Sequence, residues 1–344
     1  MELKKGLISV IMSNYNTPEE FLREAIESVL NQTYSDFEFI IVDDCSTDNS
    51  LEIIESYKDS RIIIIKNEKN LGITKSLNRA LKAAQGEFVA RMDGDDICLP
   101  ERFHKQVDFL KQNPDTIVCG TWVELFGKGA DSHKEKTTCK TLPEKETLQI
   151  NLLFGNHLNI IHPSAMFNNK LLKNNNIAYN ENYIFAQDYR MWVECCKKGD
   201  LANVSEILFK YRIHNKAVSS DKKSVQTECA KTIMAEQLSW LDLELPDDWE
   251  TFHSGLLTGR KPFDLRYKEW IETIIKHNKK HKVFNHKKLK KILWNKWTET
   301  VYFELAKVKG IKKIKVLTKL PLSCYPELLN VRKTRSSKEK CKNV

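Results

Sequence analysis

The chain has 344 residues, 41% of them hydrophobic and 29% charged, with a net charge of +9. That supports a real core in one large domain with an appendage, or in two domains, under an ordinary soluble surface. No apolar run approaches the roughly 18 residues of a membrane span, and polar "SNYN" follows the first apolar run too soon for a secretion signal. The nine cysteines are scattered and form no CxxC, which argues against a zinc site or a disulfide framework and for a cytoplasmic location.

"LISVIM" (7–12) reads as a first strand. In the following "NTPEEFLREAIESVLNQ", Thr17 is placed to cap a helix, Pro18 to open it and Glu20 to complete a capping box. Phe21, Leu22, Ala25, Ile26, Val29 and Leu30 then recur at helical spacing. "FEFIIV" (37–42) is a second strand, followed by polar "DDCSTDNS" and a helix in "LEIIESYK". "RIIIIK" (61–66) is a third strand, "GITKSLNRALKAAQG" a helix, and "EFVARM" (87–92) a fourth strand. Continuous apolar strands alternating with helices predict an α/β fold with a mainly parallel sheet covered on both faces. Ligands bind beyond the carboxyl ends of such strands, where "SNYN", "DDCSTDNS" and "DGDD" all fall.

Further along, residues 116–127 read as a strand and 128–145 as a lysine-rich loop. "ETLQINLLF" reads as helix, "IIHPSAMF" as strand, "NYIFAQDYRMWVECCKKG" as a loop entering a helix, and "EILFKYRIH" as strand. From about Ser219 the pattern turns helical and basic, so the expected division is a domain over 1–220 and a helical region over 221–344. In the latter, Leu289, Ile292, Leu293, Trp297, Val301, Leu305 and Val308 form one stripe flanked by Lys287, Lys288, Lys290, Lys291 and Lys296. A basic amphipathic helix with tryptophans suits an anionic membrane surface, and equally suits packing on the domain with its lysines in water.

Asp93, Asp95 and Asp96 crowd like charges that a cation must offset. A hard divalent ion bridging carboxylate and diphosphate is one solution, and an acidic turn capping the helix near Pro100 is the other. Asp43 and Asp44 also end an apolar strand. A carboxylate there can accept the N3–H of a uracil-type ring, bind ribose, or hold a turn with Ser46 and Thr47.

Together "ISVIMSNYN", "FEFIIVDDCSTDNS", "NLGITKSLNRAL", "GEFVARMDGDD", "FAQDYRMW" and "YRIHNKAVS" resemble the family 2 glycosyltransferases of GT-A fold, over residues 7–220. The resemblance implies a Rossmann-like nucleotide-sugar domain and metal-dependent, inverting transfer. Ser13 and Tyr15 match the turn that packs on the nucleotide, Asp44 the carboxylate that reads the base, and Asn78 a nucleotide-side contact. Asp93 and Asp95 match the DxD motif, Asp93 on the ribose side and both at the Mn²⁺ or Mg²⁺. Asp188 matches the catalytic base, with Gln187 where the family often has Glu; an N-terminal helix cap is the alternative for Asp188. Arg212 and His214 match a closing segment at the diphosphate or metal, His162 lies on the acceptor side, and Trp192 either floors the acceptor pocket or is core.

Absence of a QxxRW segment favours single-sugar transfer. Similarity to O-antigen and capsule enzymes implies a UDP-hexose donor, UDP-galactose or UDP-glucose, and a GlcNAc-diphosphate-undecaprenol acceptor at the inner membrane face. Another acceptor, such as lipopolysaccharide core, is the alternative. The +9 charge raises a nucleic-acid-binding rival, against which the acidic clusters count, so no nucleic acid is expected. A nucleotidyltransferase would need a glycine-rich phosphate loop where "SNYNTPEE" has no glycine.

Overall fold

The computed structural model describes residues 2–127, 137–142, 144–155, 160–214, 223–251, 253 and 266–307, with the backbone alone described at 137, 223 and 302–307. The chain divides into two compact units, one of residues 1–145 and 157–229, the other of 146–156 and 230–344.

In the first unit, β1 (Lys4–Asn14), β2 (Phe37–Asp43), β3 (Ile62–Lys66) and β4 (Gly86–Asp93) alternate with α1 (Glu19–Leu30), α2 (Ser50–Ser56) and α3 (Ile73–Ala83). These strands pair in parallel in the order β3-β2-β1-β4. Every residue of β2 is buried, as a strand covered on both faces requires. One face carries Ile8, Val10, Met12, Phe39, Ile41, Phe88 and Met92 against Leu22, Ile26 and Val29 of α1. α3 packs against β1 and β2 with Leu77 and Ala80 fully buried. A Cβ on Gly86 would stand 2.5 Å from the Leu7 carbonyl and 2.7 Å from the Ser9 nitrogen, so only glycine permits this approach of β4 to β1.

Beyond β4 the sheet becomes mixed. It continues through β8 (Met166–Asn168), β6 (Thr116–Phe126), β9 (Asp200–Arg212) and β5 (Ile97–Cys98). β8 runs antiparallel to β4 and β6, whereas β9 returns parallel to β6. α4 (Arg102–Gln112) staples the reversal: buried Arg102 donates to the carbonyls of Arg91 and Ala165, each at 3.0 Å. α6 (Asn169–Asn174) and α7 (Gln187–Cys196) complete this unit.

Local expectations shift where one residue decides. α1 begins at Glu19 with Pro18 as its cap residue and no side-chain cap, so Thr17 does not cap it. The strand expected over "IIHPSAMF" is cut to three residues, because His162–Ser164 close a 3₁₀ turn around Pro163, which has no N–H to give a ladder. Within the lysine-rich loop, Thr137–Cys139 instead form β7, antiparallel to β6, while 128–136 and 143 lie outside the described residues.

The second unit is helical. It holds most of α5 (Lys145–Leu152) and α8 (Lys223–Ser239), with α9 (Arg266–His281) and α10 (His286–Lys307). His253, fully buried, stacks on Phe154 at 4.6 Å and accepts the Trp270 indole N–H at 3.2 Å. Burial holds its pKa down to about 4, so the ring is a neutral core member. Leu289, Leu293, Trp297 and Val301 are fully buried and Ile292 half-buried, as α10 packs on α9. The stripe is therefore the core of this unit and is not offered to a bilayer. The side chain of Leu305, Val308 and the basic segments after 307 lie outside the described residues.

Candidate active site

Strand register assembles the three polar clusters. Ser13 stands opposite Val42 on one side and Asp93 on the other, and Asn14 opposite Asp43. The carboxyl ends of β1, β2 and β4 therefore meet at one level. Asp43 is structural: Oδ1 accepts from Asn14 Nδ2 (3.1 Å) and the Ser46 hydroxyl (2.6 Å), and Oδ2 from the Ser46 N–H. Asn16 and Cys45 adopt left-handed backbone (φ 51° and 62°) in the two facing turns, which the Asn16 and Thr47 side chains and backbone lace together. Ser13 is half-buried there, and Tyr15 is 48% exposed.

Asp44 is buried, yet its carboxylate is organised rather than idle. Oδ1 accepts from Asn67 Nδ2 (2.6 Å) and the Leu71 N–H (2.8 Å), and Oδ2 from the Gly72 N–H (2.8 Å). Oδ2 thus accepts one hydrogen bond where its lone pairs allow two. Asn78 has a different task from the expected nucleotide contact. Its amide donates to the Tyr179 carbonyl (2.8 Å) and accepts the Tyr179 N–H (3.0 Å), fastening α3 to the 179–181 segment.

Asp93, Asp95 and Asp96 each offer an oxygen within 4.8 Å of the others. Each also has a partner from the chain itself. Arg91, 2% exposed, ion-pairs with Asp93. His214 Nε2 lies 2.8 Å from Asp95 Oδ2, and the Arg212 N–H donates to Asp96 Oδ1 at 2.8 Å. Asp96 thus ties the end of β9 to the acidic turn and does not cap α4. The Arg212 side chain donates to the Asp95 carbonyl (2.6 Å), pairs with Glu24, and is sandwiched between Phe21 and Phe126 at 4.1 and 4.3 Å. Burial pushes the Asp96 carboxyl well up, helped by Asp95 and Asp93, and pushes Asp93 up against the pull of Arg91. Asp96 Oδ2 is buried without a hydrogen-bond partner. An all-oxygen donor set with an orphaned carboxylate oxygen fits a hard divalent cation such as Mg²⁺ or Mn²⁺.

On the other side, α7 opens at Gln187 after Ala186 and has no side-chain cap. Asp188 is the second helical residue, half-buried, and accepts the N–H of Tyr189 at 2.7 Å, so it is not the N-cap. Phe185, three residues before Asp188, holds φ 67°, a left-handed conformation that bulky residues adopt only under constraint. Gln187 Oε1 is buried without a hydrogen-bond partner. Trp192 is fully buried, stacked on Phe167 at 5.8 Å and edge-on to His162 at 5.8 Å. It is core behind the site and not a pocket floor. His162 Nε2 sits 2.9 Å from the Tyr179 hydroxyl, and burial, with Arg91 adding, drives its pKa well down. His162 therefore acts as neutral support for Tyr179, whose phenol burial pushes up.

Arg91, Tyr179 and Glu24 are the site's unforeseen members. Arg91 had one sequence signal, an arginine inside an apolar strand two residues before the acidic turn. Tyr179 and Glu24 had none.

A parallel sheet turned mixed, with an acidic turn at the strand ends, is the layout of the GT-A fold of glycosyltransferases. Residues 9–175 match the model of glycosyl transferase family 2, and the chain belongs to that family. An uncharacterized glycosyltransferase of Methanocaldococcus jannaschii is 41% identical over 223 residues, covering 62% of this chain and 73% of the relative. The Escherichia coli enzyme WfaP, a UDP-Glc:alpha-D-GlcNAc-diphosphoundecaprenol beta-1,3-glucosyltransferase, is 31% identical over 220 residues, 63% of this chain and 81% of its own. Among solved structures, S. aureus TarS 1–349 in complex with UDP-GlcNAc shares the fold, with a TM-score of 0.56, 20% identity and coverage of 85% and 88%.

Proposed function

We propose that this chain moves one hexose from a UDP-sugar onto a lipid-diphosphate-linked GlcNAc, with inversion, in bacterial-type surface polysaccharide synthesis. The observation that carries the reading is the all-oxygen cluster Asp93, Asp95 and Asp96 at the strand ends of a family 2 chain. UDP-glucose is the favoured donor and GlcNAc-diphosphate-undecaprenol the favoured acceptor, because the names of both WfaP and WfgD, the latter 28% identical, specify that pair.

In this reading Asp44 selects the base, Ser13 and Tyr15 flank the nucleotide, and Asp95 with Asp93 holds Mn²⁺ or Mg²⁺. The cation, when bound, supplies positive charge to the leaving diphosphate. Asp188 accepts the proton of the acceptor hydroxyl as that oxygen forms its bond to the anomeric carbon. The bond from that carbon to the UDP oxygen breaks on the opposite face, its electron pair leaves with UDP, and the configuration inverts. His214 and Arg212 hold the acidic turn against β9.

A lipid-linked acceptor places the reaction at a membrane, although no helix among the described residues is long and apolar enough to cross one. With the described part of the α10 stripe buried, attachment in this reading is by charge. Lys276, Lys279, Lys280 and Lys282 at the end of α9 and Lys287, Lys290 and Lys291 at the start of α10 are exposed, cationic side chains suited to anionic lipid.

The test is a panel of nucleotide sugars against a synthetic lipid-diphosphate-GlcNAc, with product linkage read by NMR. A single β-linked hexose from a UDP-sugar is expected. Transfer from a non-uridine donor only, or to no lipid-linked acceptor, would contradict the reading.

A further inference from the structure

A cluster of three carboxylates invites the expectation that it captures a divalent cation unaided. The chain's own groups oppose this. Asp93 is ion-paired with Arg91, Asp95 faces His214, and Asp96 accepts the Arg212 N–H. Of these partners, Arg91 puts a buried fixed charge directly on a carboxylate of the cluster, whereas the Arg212 guanidinium pairs with Glu24. It lies on β4 two residues before Asp93, so the two side chains leave the same face of the strand. Its side chain is 2% exposed, its Nε has no hydrogen-bond partner, and its Nη1 meets Asp93 in an ion pair that offsets the buried charge. Neither staple from Arg102 competes for it, since Arg102 takes the backbone carbonyl of Arg91 and leaves its side chain alone.

We propose that Arg91 is a positioning residue that occupies Asp93 and keeps the acidic turn from binding a divalent cation until the nucleotide diphosphate arrives with it. The cluster then enters the reaction already offset by one internal cation. Asp95 is then the principal protein ligand, and Asp93, drawn toward Arg91, joins it at the cation only once the nucleotide has brought the ion. The diphosphate supplies the negative charge that the Arg91–Asp93 pair withholds, so cation and nucleotide bind as a unit. This rests on the UDP-sugar reading above, and concerns how that site fills.

The measurement is free Mn²⁺ by electron paramagnetic resonance in titrations of the full chain, with and without UDP. Wild type should bind Mn²⁺ weakly alone and at least about tenfold more tightly with UDP. Arg91→Met should bind Mn²⁺ alone about tenfold more tightly than wild type, the scale of one nearby charge in a screened site, and should lose most of the UDP enhancement. Arg91→Lys should stay close to wild type, because it keeps the charge. Equal Mn²⁺ affinity of wild type with and without UDP, where calorimetry shows that UDP itself binds, overturns the proposal, and that arm needs no variant. Arg91→Met that is folded by circular dichroism and binds Mn²⁺ alone no better than wild type overturns it as well. If wild type binds no UDP at all, the donor reading falls instead, and the Mn²⁺-only comparison of Arg91→Met, Arg91→Lys and wild type still decides the role of Arg91.

Discussion

Asp44 holds the Leu71–Gly72 turn through both oxygens, so its loss registers in two measurements. Asp44→Ala should weaken UDP binding by about tenfold and blur the preference for UDP over CDP in calorimetry. It should also lower stability by about 1–3 kcal/mol in urea, because buried N–H groups lose their acceptor. Equal affinity of wild type for UDP and CDP would refute its role as base reader. Asn78→Ala should behave differently, with UDP affinity unchanged and stability reduced, since its amide binds the Tyr179 backbone. A loss of UDP affinity without loss of stability would restore it to the nucleotide side. The same contrast marks how far the site could be read in advance. Asp93, Asp95 and Asp44 are announced by position, each following an apolar strand. The Asn78–Tyr179 clasp joins residues 101 apart, and no local pattern encodes that. Arg91 was hidden because an arginine in an apolar strand reads as an edge or a flaw until its partner is known.

At the level of elements, legibility followed length. β1, β2 and β4 are continuous apolar runs and were readable within two or three residues. β5, two residues long, and α6, six residues long, carry too few positions to establish a period. The α10 stripe was legible as a stripe, but periodicity does not say what covers it, and here α9 packs on it. Leu293→Ala should therefore lower stability by about 2–5 kcal/mol in denaturant unfolding, the range for emptying a buried leucine site. Lys290→Gln on the exposed side of the same helix should change it by less than about 0.5 kcal/mol. A negligible effect of Leu293→Ala would mean that the stripe is not core and return it to the membrane.

For the whole molecule, attachment and chemistry separate. The protein should sediment with anionic vesicles at low salt and leave them at high salt, because exposed lysine charge is screened. Replacing Lys287, Lys288, Lys290 and Lys291 with Gln should weaken that binding and lower activity on membrane-embedded acceptor, while a short-chain soluble acceptor is used as before. Equal loss on both acceptors would place those lysines elsewhere in the function. The chemistry itself is tested most directly by one comparison: hexose transfer from UDP-glucose to lipid-diphosphate-GlcNAc with Mn²⁺, by wild type and by Asp188→Asn, alongside UDP binding to each. The expected result is transfer by wild type, with Asp188→Asn binding UDP equally but turning over roughly 10²-fold or more slower, the scale of a lost general base. Near-normal turnover by Asp188→Asn, or no transfer by wild type from any UDP-hexose, would contradict the account.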